Sequence, residues 1–434
     1  MRRLASLVSG VAAYFGALTL LEVRSPWTAF LAFPKMLAGT LTPVTALAGA
    51  IGALAGLFSG NFKAMSAGVF GLAVAARHIR KVSAPHQAFE HAFGRDWEAR
   101  IPLALKDRML GARWSASLPH PPDAPWQRDV VFGAWPATGE PLLCDVWQPP
   151  AGVPHSGLGI IYLHGSGWHY LDKDAGTRPF FRHLAGQGHV IMDVAYTLAQ
   201  KAQLRGMLGD VKRAIAWLKM HAAELGVRPD RIVLMGGSAG GHLSLLAGYT
   251  PNLPEFQPEG LEADTSVRAV VSYYGPPDLL AMYRYIESLS VGPLSPDSAV
   301  NRALLKSMMG MLRVLFPSIR VLPPYGKIVG STEMISGMLG GTPDEVPQEY
   351  AIGSPIHYVG PHCPPTLLLQ GAHDIGVKPG PVRQLHGALG EAGVPSVYVE
   401  FPDTEHGFDL VWPRLSPAAQ AATYDTERFL ALMM

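Results

Sequence analysis

Arg231-Ile232-Val233-Leu234-Met235-Gly236-Gly237-Ser238-Ala239-Gly240-Gly241 is the stretch that decides the fold. Ile232–Met235 forms a short apolar run of the kind that makes a strand buried on both faces. From Gly240 to Tyr249 the pattern turns helical, so Ser238 sits where a strand becomes a helix. Glycines two positions before and two after the serine leave room for a tight, strained turn. Such a turn lifts the hydroxyl to the carboxyl end of a sheet, over the amino terminus of the next helix. The helix dipole there favours negative charge developing at a reacting carbonyl. Ser238 is the candidate nucleophile; the competing reading is a purely structural glycine turn.

Outward from this elbow, strands and helices alternate. Val130–Trp135 and Leu142–Trp147 flank Pro136-Ala137-Thr138-Gly139-Glu140, a hairpin signature. Apolar runs follow at Gly159–Leu163, Val190–Val194, Ala269–Tyr273, Thr366–Leu369 and Ser396–Phe401, with a helical segment at Gly209–Leu225. Runs buried on both faces and separated by helices predict an α/β fold: a mainly parallel sheet with helices on both faces, and an antiparallel pair at its leading edge.

Three further motifs stand at strand ends. His164-Gly165-Ser166-Gly167-Trp168 follows the strand Gly159–Leu163. Small residues there let a substrate reach backbone N–H groups, so Gly165, Ser166 and Gly167, with Ala239 after the nucleophile, are the candidate oxyanion hole. Asp374 closes Gln370-Gly371-Ala372-His373-Asp374 after one strand, and His406 lies in Pro402-Asp403-Thr404-Glu405-His406-Gly407-Phe408 after the next. Serine, then acid, then base is the chain order expected for this chemistry. His406 is the candidate base and Asp374 the acid that orients it. Asp403, Glu405 and Asp278 are rival acids, and Asp278 also reads as a helix cap. His373 reads as support for Asp374, His164 as a residue ordering its loop, and His242 as a packing or pocket residue.

The chain carries 35 Lys and Arg against 34 Asp and Glu, so no charge excess points to nucleic acid. Its 48% hydrophobic content is concentrated at the front. Leu4–Leu21 is an uncharged run of 18 residues behind Arg2 and Arg3, and Met36–Gly60 is a second run of 25. A bilayer core of about 30 Å needs roughly 20 apolar residues in a helix, so each run can span. Ala64–Ala76, with 13 uncharged residues, is too short to decide. A cleaved signal peptide and a buried helical hairpin are the alternatives. Two spans put the main domain on the cytoplasmic face, beside Arg77, Arg80 and Lys81; a third reverses this. The expected divisions are a transmembrane region at 1–81, an amphipathic linker or cap at 82–125 and a catalytic domain at 126–434. Residues 86–112 read as one amphipathic helix or two short ones. An insertion near 279–353, rich in Met282, Met308, Met309, Met311, Met334 and Met338, reads either as packing or as a lid. Cys144 and Cys363 read as buried free thiols. No metal-ligand spacing and no Walker or dinucleotide glycine loop is present, so neither metal nor organic cofactor is expected.

Over residues 125–434 these elements resemble the hormone-sensitive-lipase-like branch of the α/β-hydrolase fold esterases. Gly236-Gly237-Ser238-Ala239-Gly240-Gly241 is similar to that branch's elbow, and His164-Gly165-Ser166-Gly167 to its His-Gly-Gly-Gly motif with serine at the second glycine. Asp193-Val194-Ala195-Tyr196-Thr197-Leu198 resembles its fourth-strand region, with Thr197 in place of a common Arg. The apolar front resembles membrane-anchored bacterial members. The resemblance implies a carboxylesterase or lipase working by an acyl-enzyme intermediate on a small-molecule, hydrophobic ester. A prolyl-oligopeptidase-type serine peptidase and a catalytically dead binding protein of the same fold remain as alternatives.

Overall fold

The apolar runs assemble into one sheet in the computed structural model, which describes residues 1–25, 28–290, 298, 299, 303, 306, 310 and 331–434. Among the described residues the sheet has eight strands: β1 (Trp126–Ala134), β2 (Pro141–Trp147), β3 (Gly157–Leu163), β4 (Val190–Val194), β5 (Val227–Gly237), β6 (Ala269–Tyr273), β7 (Thr366–Gly371) and β8 (Ser396–Phe401). Their order is β1-β2-β4-β3-β5-β6-β7-β8. β3 to β8 run parallel, while β2 pairs antiparallel with both β1 and β4, which makes the leading edge a hairpin.

Strand alternation builds two cores. Ile161, Leu163, Ile232 and Leu234 face one side, against α8 (Leu204–Met220), α9 (Ala239–Tyr249) and α13 (Pro379–Glu391). Ile160, Tyr162, Val233 and Met235 face the other, against α7 (Arg178–Ala185) and α14 (Pro417–Leu432). Because a two-sided strand has no polar face, these runs read as continuous rather than alternating hydrophobics. α8 starts earlier than expected because Leu204, Met207 and Leu208 already bury their side chains. It stops at Met220, and the turn that follows ends on Gly226 at φ +67°.

The front of the chain forms α1 (Arg2–Leu20), α2 (Ala32–Thr40), α3 (Thr42–Phe58) and α4 (Phe62–Val82). The run Met36–Gly60 is not one helix. It bends by 74° between α2 and α3, where Pro43 in the first turn of α3 lacks the N–H a continuous helix needs. Ala64–Ala76 lies inside the 21-residue α4, whose Asn61 cap accepts from the Ala64 N–H at 3.2 Å. Arg2 Nε donates to the Ser59 carbonyl at 2.7 Å, and Asn61 Nδ2 donates to Ser6 Oγ at 2.9 Å. α1, α3 and α4 therefore pack up-down-up. Among the described residues one helix, α1, has the length and apolarity to cross a membrane, as an anchor or a signal sequence; α2 and α3 reach that mark only together.

Residues 86–112 give α5 (Ala88–Phe93), a 3-10 turn at Trp97–Arg100 and α6 (Leu103–Lys106), three pieces rather than one or two helices. Gly94 at φ +85° and Pro102 break the periodicity. Phe89 and Ile101 nonetheless bury into the core on the α14 side. In the insertion, α10 (Leu279–Leu289), α11 (Ser331–Leu339) and α12 (Pro347–Ile352) are described, whereas Met308, Met309 and Met311 lie outside the described residues. Cys144 and Cys363 are free and buried.

Candidate active site

β5 runs into α9 through a single residue, Ser238, at φ +54° and ψ −119°. A side chain bearing a Cβ pays about 1–3 kcal/mol for such a conformation, so the surroundings must impose it. They do so by crowding. A Cβ on Gly240 would stand 1.9 Å from the Leu163 carbonyl oxygen, and one on Gly236 2.6 Å from it. The elbow is thus wedged against the end of β3, and only glycine fits at those two places.

β7 and β8 end side by side and deliver the other two side chains. His406 Nδ1–H donates to Asp374 Oδ2 at 2.8 Å, and Ser238 Oγ–H donates to His406 Nε2 at 3.0 Å. Asp374 is fully buried but well supplied: Oδ1 receives the N–H groups of Gly376 (2.8 Å) and Val377 (2.7 Å), and Oδ2 receives Gln370 Nε2 (2.9 Å). Those donors fix which oxygen meets the imidazole. Burial works against the His406 imidazolium, but the Asp374 carboxylate, with Glu405 and Asp409 nearby, outweighs it and raises the group above the usual histidine value.

The rival acids point elsewhere. Asp403 pairs with Arg77 at 2.7 Å, and Glu405 Oε1 accepts the backbone N–H groups of Ile375 (2.6 Å) and His406 (3.1 Å). Asp278 caps α10 by accepting from the Ala281 N–H at 2.9 Å. Burial, reinforced by the Asp374 charge, pushes Glu405 up to about 7. Among the histidines, His164 stacks on the ring of Tyr196 at 4.4 Å and donates from Nδ1 to the Gly165 carbonyl at 2.9 Å. Burial lowers its pKa. His242 accepts from Trp168 Nε1 at 3.2 Å and donates to the Gly353 carbonyl at 2.7 Å. It thereby ties the loop after β3 to the nucleophile's helix and to the end of the insertion. His373 faces Lys35 on α2.

The glycine-rich loop lies against the elbow, since a Cβ on Gly165 would be 3.3 Å from the Ser238 Cβ. Ser166, Gly167 and Trp168 all have positive φ, at +93°, +62° and +63°, and the Ser166 hydroxyl donates to the Tyr170 carbonyl. Among the described residues, the N–H groups of Ser166, Gly167 and Ala239 donate to no main-chain carbonyl. Free N–H groups beside a strained serine can receive an oxyanion. α11 covers this loop: His169 Nε2 donates to the Met334 carbonyl at 3.0 Å, and Met334 Sδ lies 2.4 Å from where a Cβ on Gly167 would be.

Four neighbours escaped the sequence reading. Tyr274 and Asp409 flank His406, Gln370 holds Asp374, and Lys35 meets His373. Only Lys35 left a readable trace, as the single charge in residues 25–62.

A family model described as BD-FAE matches residues 144–311. "Probable carboxylic ester hydrolase LipM" of Mycobacterium tuberculosis is 30% identical over 308 residues, 70% of this chain and 60% of its own length. "Esterase LipQ" of the same organism is 29% identical over 384 residues, 83% of this chain and 80% of LipQ. This chain therefore spans about 60% of LipM. The thermophilic esterase of Thermogutta terrifontis superposes with a TM-score of 0.50 at 24% identity, over 72% of this chain and 95% of that one, and shares the fold. With its mostly parallel sheet the chain has the α/β-hydrolase fold, and its sequence is similar to carboxylic ester hydrolases.

Proposed function

We propose that the chain is a membrane-anchored serine carboxylic-ester hydrolase that cleaves hydrophobic, lipid-like esters through an acyl-enzyme intermediate. One observation carries the reading: a single imidazole, His406, bridges a strained serine hydroxyl at 3.0 Å and a buried carboxylate at 2.8 Å. In this reading Ser238 Oγ attacks the ester carbonyl while His406 takes its proton. The oxyanion of the tetrahedral intermediate rests on the N–H groups of Ser166, Gly167 and Ala239, with Gly165 leaving the approach open. Collapse expels the alcohol, protonated by His406, and leaves Ser238 acylated. Water, deprotonated by the same imidazole, then releases the acid. Asp374 holds the Nδ1–H tautomer throughout and stabilises the imidazolium. No metal or organic cofactor takes part.

Residues 1–81 serve as the anchor, 82–125 as a linking segment and 126–434 as the catalytic unit with its insertion at 279–353. The anchor's packing supports this. Its interior is small: Ser9 of α1 meets Gly52, Ala12 and Gly16 of α1 meet Gly71, and Gly49 meets Gly68. Its outer surface is apolar, with Leu4, Leu7, Leu47, Ile51, Leu54 and Phe70 exposed. Small residues inside and large apolar ones outside is the arrangement of helices that pack in lipid. Hydrolysis of p-nitrophenyl esters of graded acyl length by wild type and Ser238→Ala tests the activity. Turnover that depends on chain length and vanishes in the variant is expected; equal turnover in both proteins would sink it.

A further inference from the structure

Two helices of the amino-terminal unit reach the loops that carry the acid and the base. Lys35 on α2 is 1% exposed, and its ammonium donates to the Leu21 carbonyl and to Nδ1 of His373, the residue before Asp374. Arg77 on α4 donates from Nη1 to Asp403 Oδ2 at 2.7 Å, three residues before His406. The two loops are also laced to each other: the His373 N–H donates to the Thr404 carbonyl at 2.9 Å, and Glu405 takes the N–H groups of Ile375 and His406. Met36, next to Lys35, places its Sδ 3.6 Å from where a Cβ on Gly407 would stand.

A tether requires none of this. An anchor needs an apolar surface and a length of chain, and burying an ammonium is unfavourable unless its partners are well placed. Here the buried cation is spent on the loop of Asp374 and the second cation on the loop of His406. The groups facing Lys35 are Glu22, His78, His373, Asp403 and Glu405. His373 Nε2 lies 3.9 Å from carboxylate oxygens of both Glu22 and Asp403.

We propose that Lys35 and Arg77 are positioning residues, through which the amino-terminal unit holds Asp374 and His406 in register for proton transfer. The inference rests on the ester-hydrolase reading above. A displacement of about 1 Å in a reacting group can cost on the order of a hundredfold in rate, so loosening either loop is expressed in turnover.

The test uses the full chain in detergent micelles and compares wild type, Lys35→Met, Arg77→Gln, Arg77→Lys and Arg80→Gln. Arg80 is exposed and serves as the control. Readouts are kcat and KM on a water-soluble p-nitrophenyl ester, the rate of Ser238 labelling by a fluorophosphonate, and the thermal midpoint. Lys35→Met and Arg77→Gln are each expected to lower kcat and the labelling rate about tenfold or more with KM within about twofold. Arg77→Lys, which keeps the charge beside Asp403, is expected to recover most of the loss, and Arg80→Gln to match wild type. Folded Lys35→Met and Arg77→Gln with wild-type kcat and labelling would overturn the inference while leaving the hydrolase reading intact. If Lys35→Met does not fold, the Arg77 pair decides alone, and failure of Arg77→Lys to recover kcat overturns it equally. Wild type and Ser238→Ala behaving alike in both assays would overturn both readings together.

Discussion

Tyr274 lays its ring 4.4 Å from the imidazole of His406 and donates its hydroxyl to Asp409. The tyrosine sits at φ +40°, directly after β6, so the end of the sheet sets its tilted ring beside the imidazole. Asp409 is a second carboxylate near the imidazole. Burial raises its own pKa, while the Tyr274 hydroxyl and the facing His406 pull it back down.

That neighbourhood sets a pH dependence. With His406 as the proposed base, hydrolysis needs its neutral form, and its pKa is raised, chiefly by Asp374, with Glu405 and Asp409 adding to it. Activity therefore falls as pH drops through a value above the ordinary histidine value of about 6.5. Asp409→Asn removes a negative charge that favours the imidazolium, so the acid limb of kcat/KM moves to lower pH. A pH–rate profile of the two proteins checks this; an unmoved or upward-shifted limb contradicts it.

Asp374→Asn leaves the shape but removes the acceptor that selects the imidazole tautomer. The expected loss in kcat is about 10³- to 10⁴-fold, with KM little changed. Asp278→Ala is its counterpart. Loss of the cap on α10 is expected to cost about 1 kcal/mol of stability. Hydrolysis by the folded protein should stay at the wild-type rate, which steady-state kinetics and thermal melts can separate.

Met334 covers Gly167 from α11, so trimming it opens space beside the candidate oxyanion loop. Met334→Ala is expected to raise kcat/KM for long acyl esters several-fold relative to acetate. A uniform change across chain lengths would remove Met334 from substrate selection.

Ser166→Gly restores glycine at φ +93°, which relieves backbone strain, and deletes the hydroxyl bond to Tyr170. Each effect is worth about 1 kcal/mol and the two oppose one another. The N–H is retained, so kcat is expected within about threefold of wild type, as removing a donor outright costs about a hundredfold or more. Chemical denaturation together with ester assays measures both.

The sheet was readable because its strands are buried on both faces and end in the candidate catalytic residues. Ser238 directly follows β5, and Asp374 and His406 lie in the loops just after β7 and β8, so the shared strand ends bring them near each other. The helical front was less readable. Composition marks Met36–Gly60 as one run, and only Pro43 hints at the break. The short pieces between Ala88 and Lys106 keep a helical period of large residues, which masks the stop at Gly94. Tyr274, Asp409 and Lys35 had no spacing to reveal them, since their partners lie 132, 135 and 338 residues away. Contacts of that range are set by how β6, β7, β8 and α2 come together, which no local pattern encodes.

The junction at Lys35 and Arg77 bears on how a cell could redeploy this protein. A protease cutting just beyond Val82 would free a catalytic body into the surrounding fluid, a common way to convert a tethered enzyme into a diffusing one. Here the same cut would discard both cations that meet the loops of Asp374 and His406, so under the proposed roles shedding and silencing would be a single event. If residues 1–81 anchor the chain as proposed, hydrolysis would then be confined to the bilayer surface, and esters far from it would be spared.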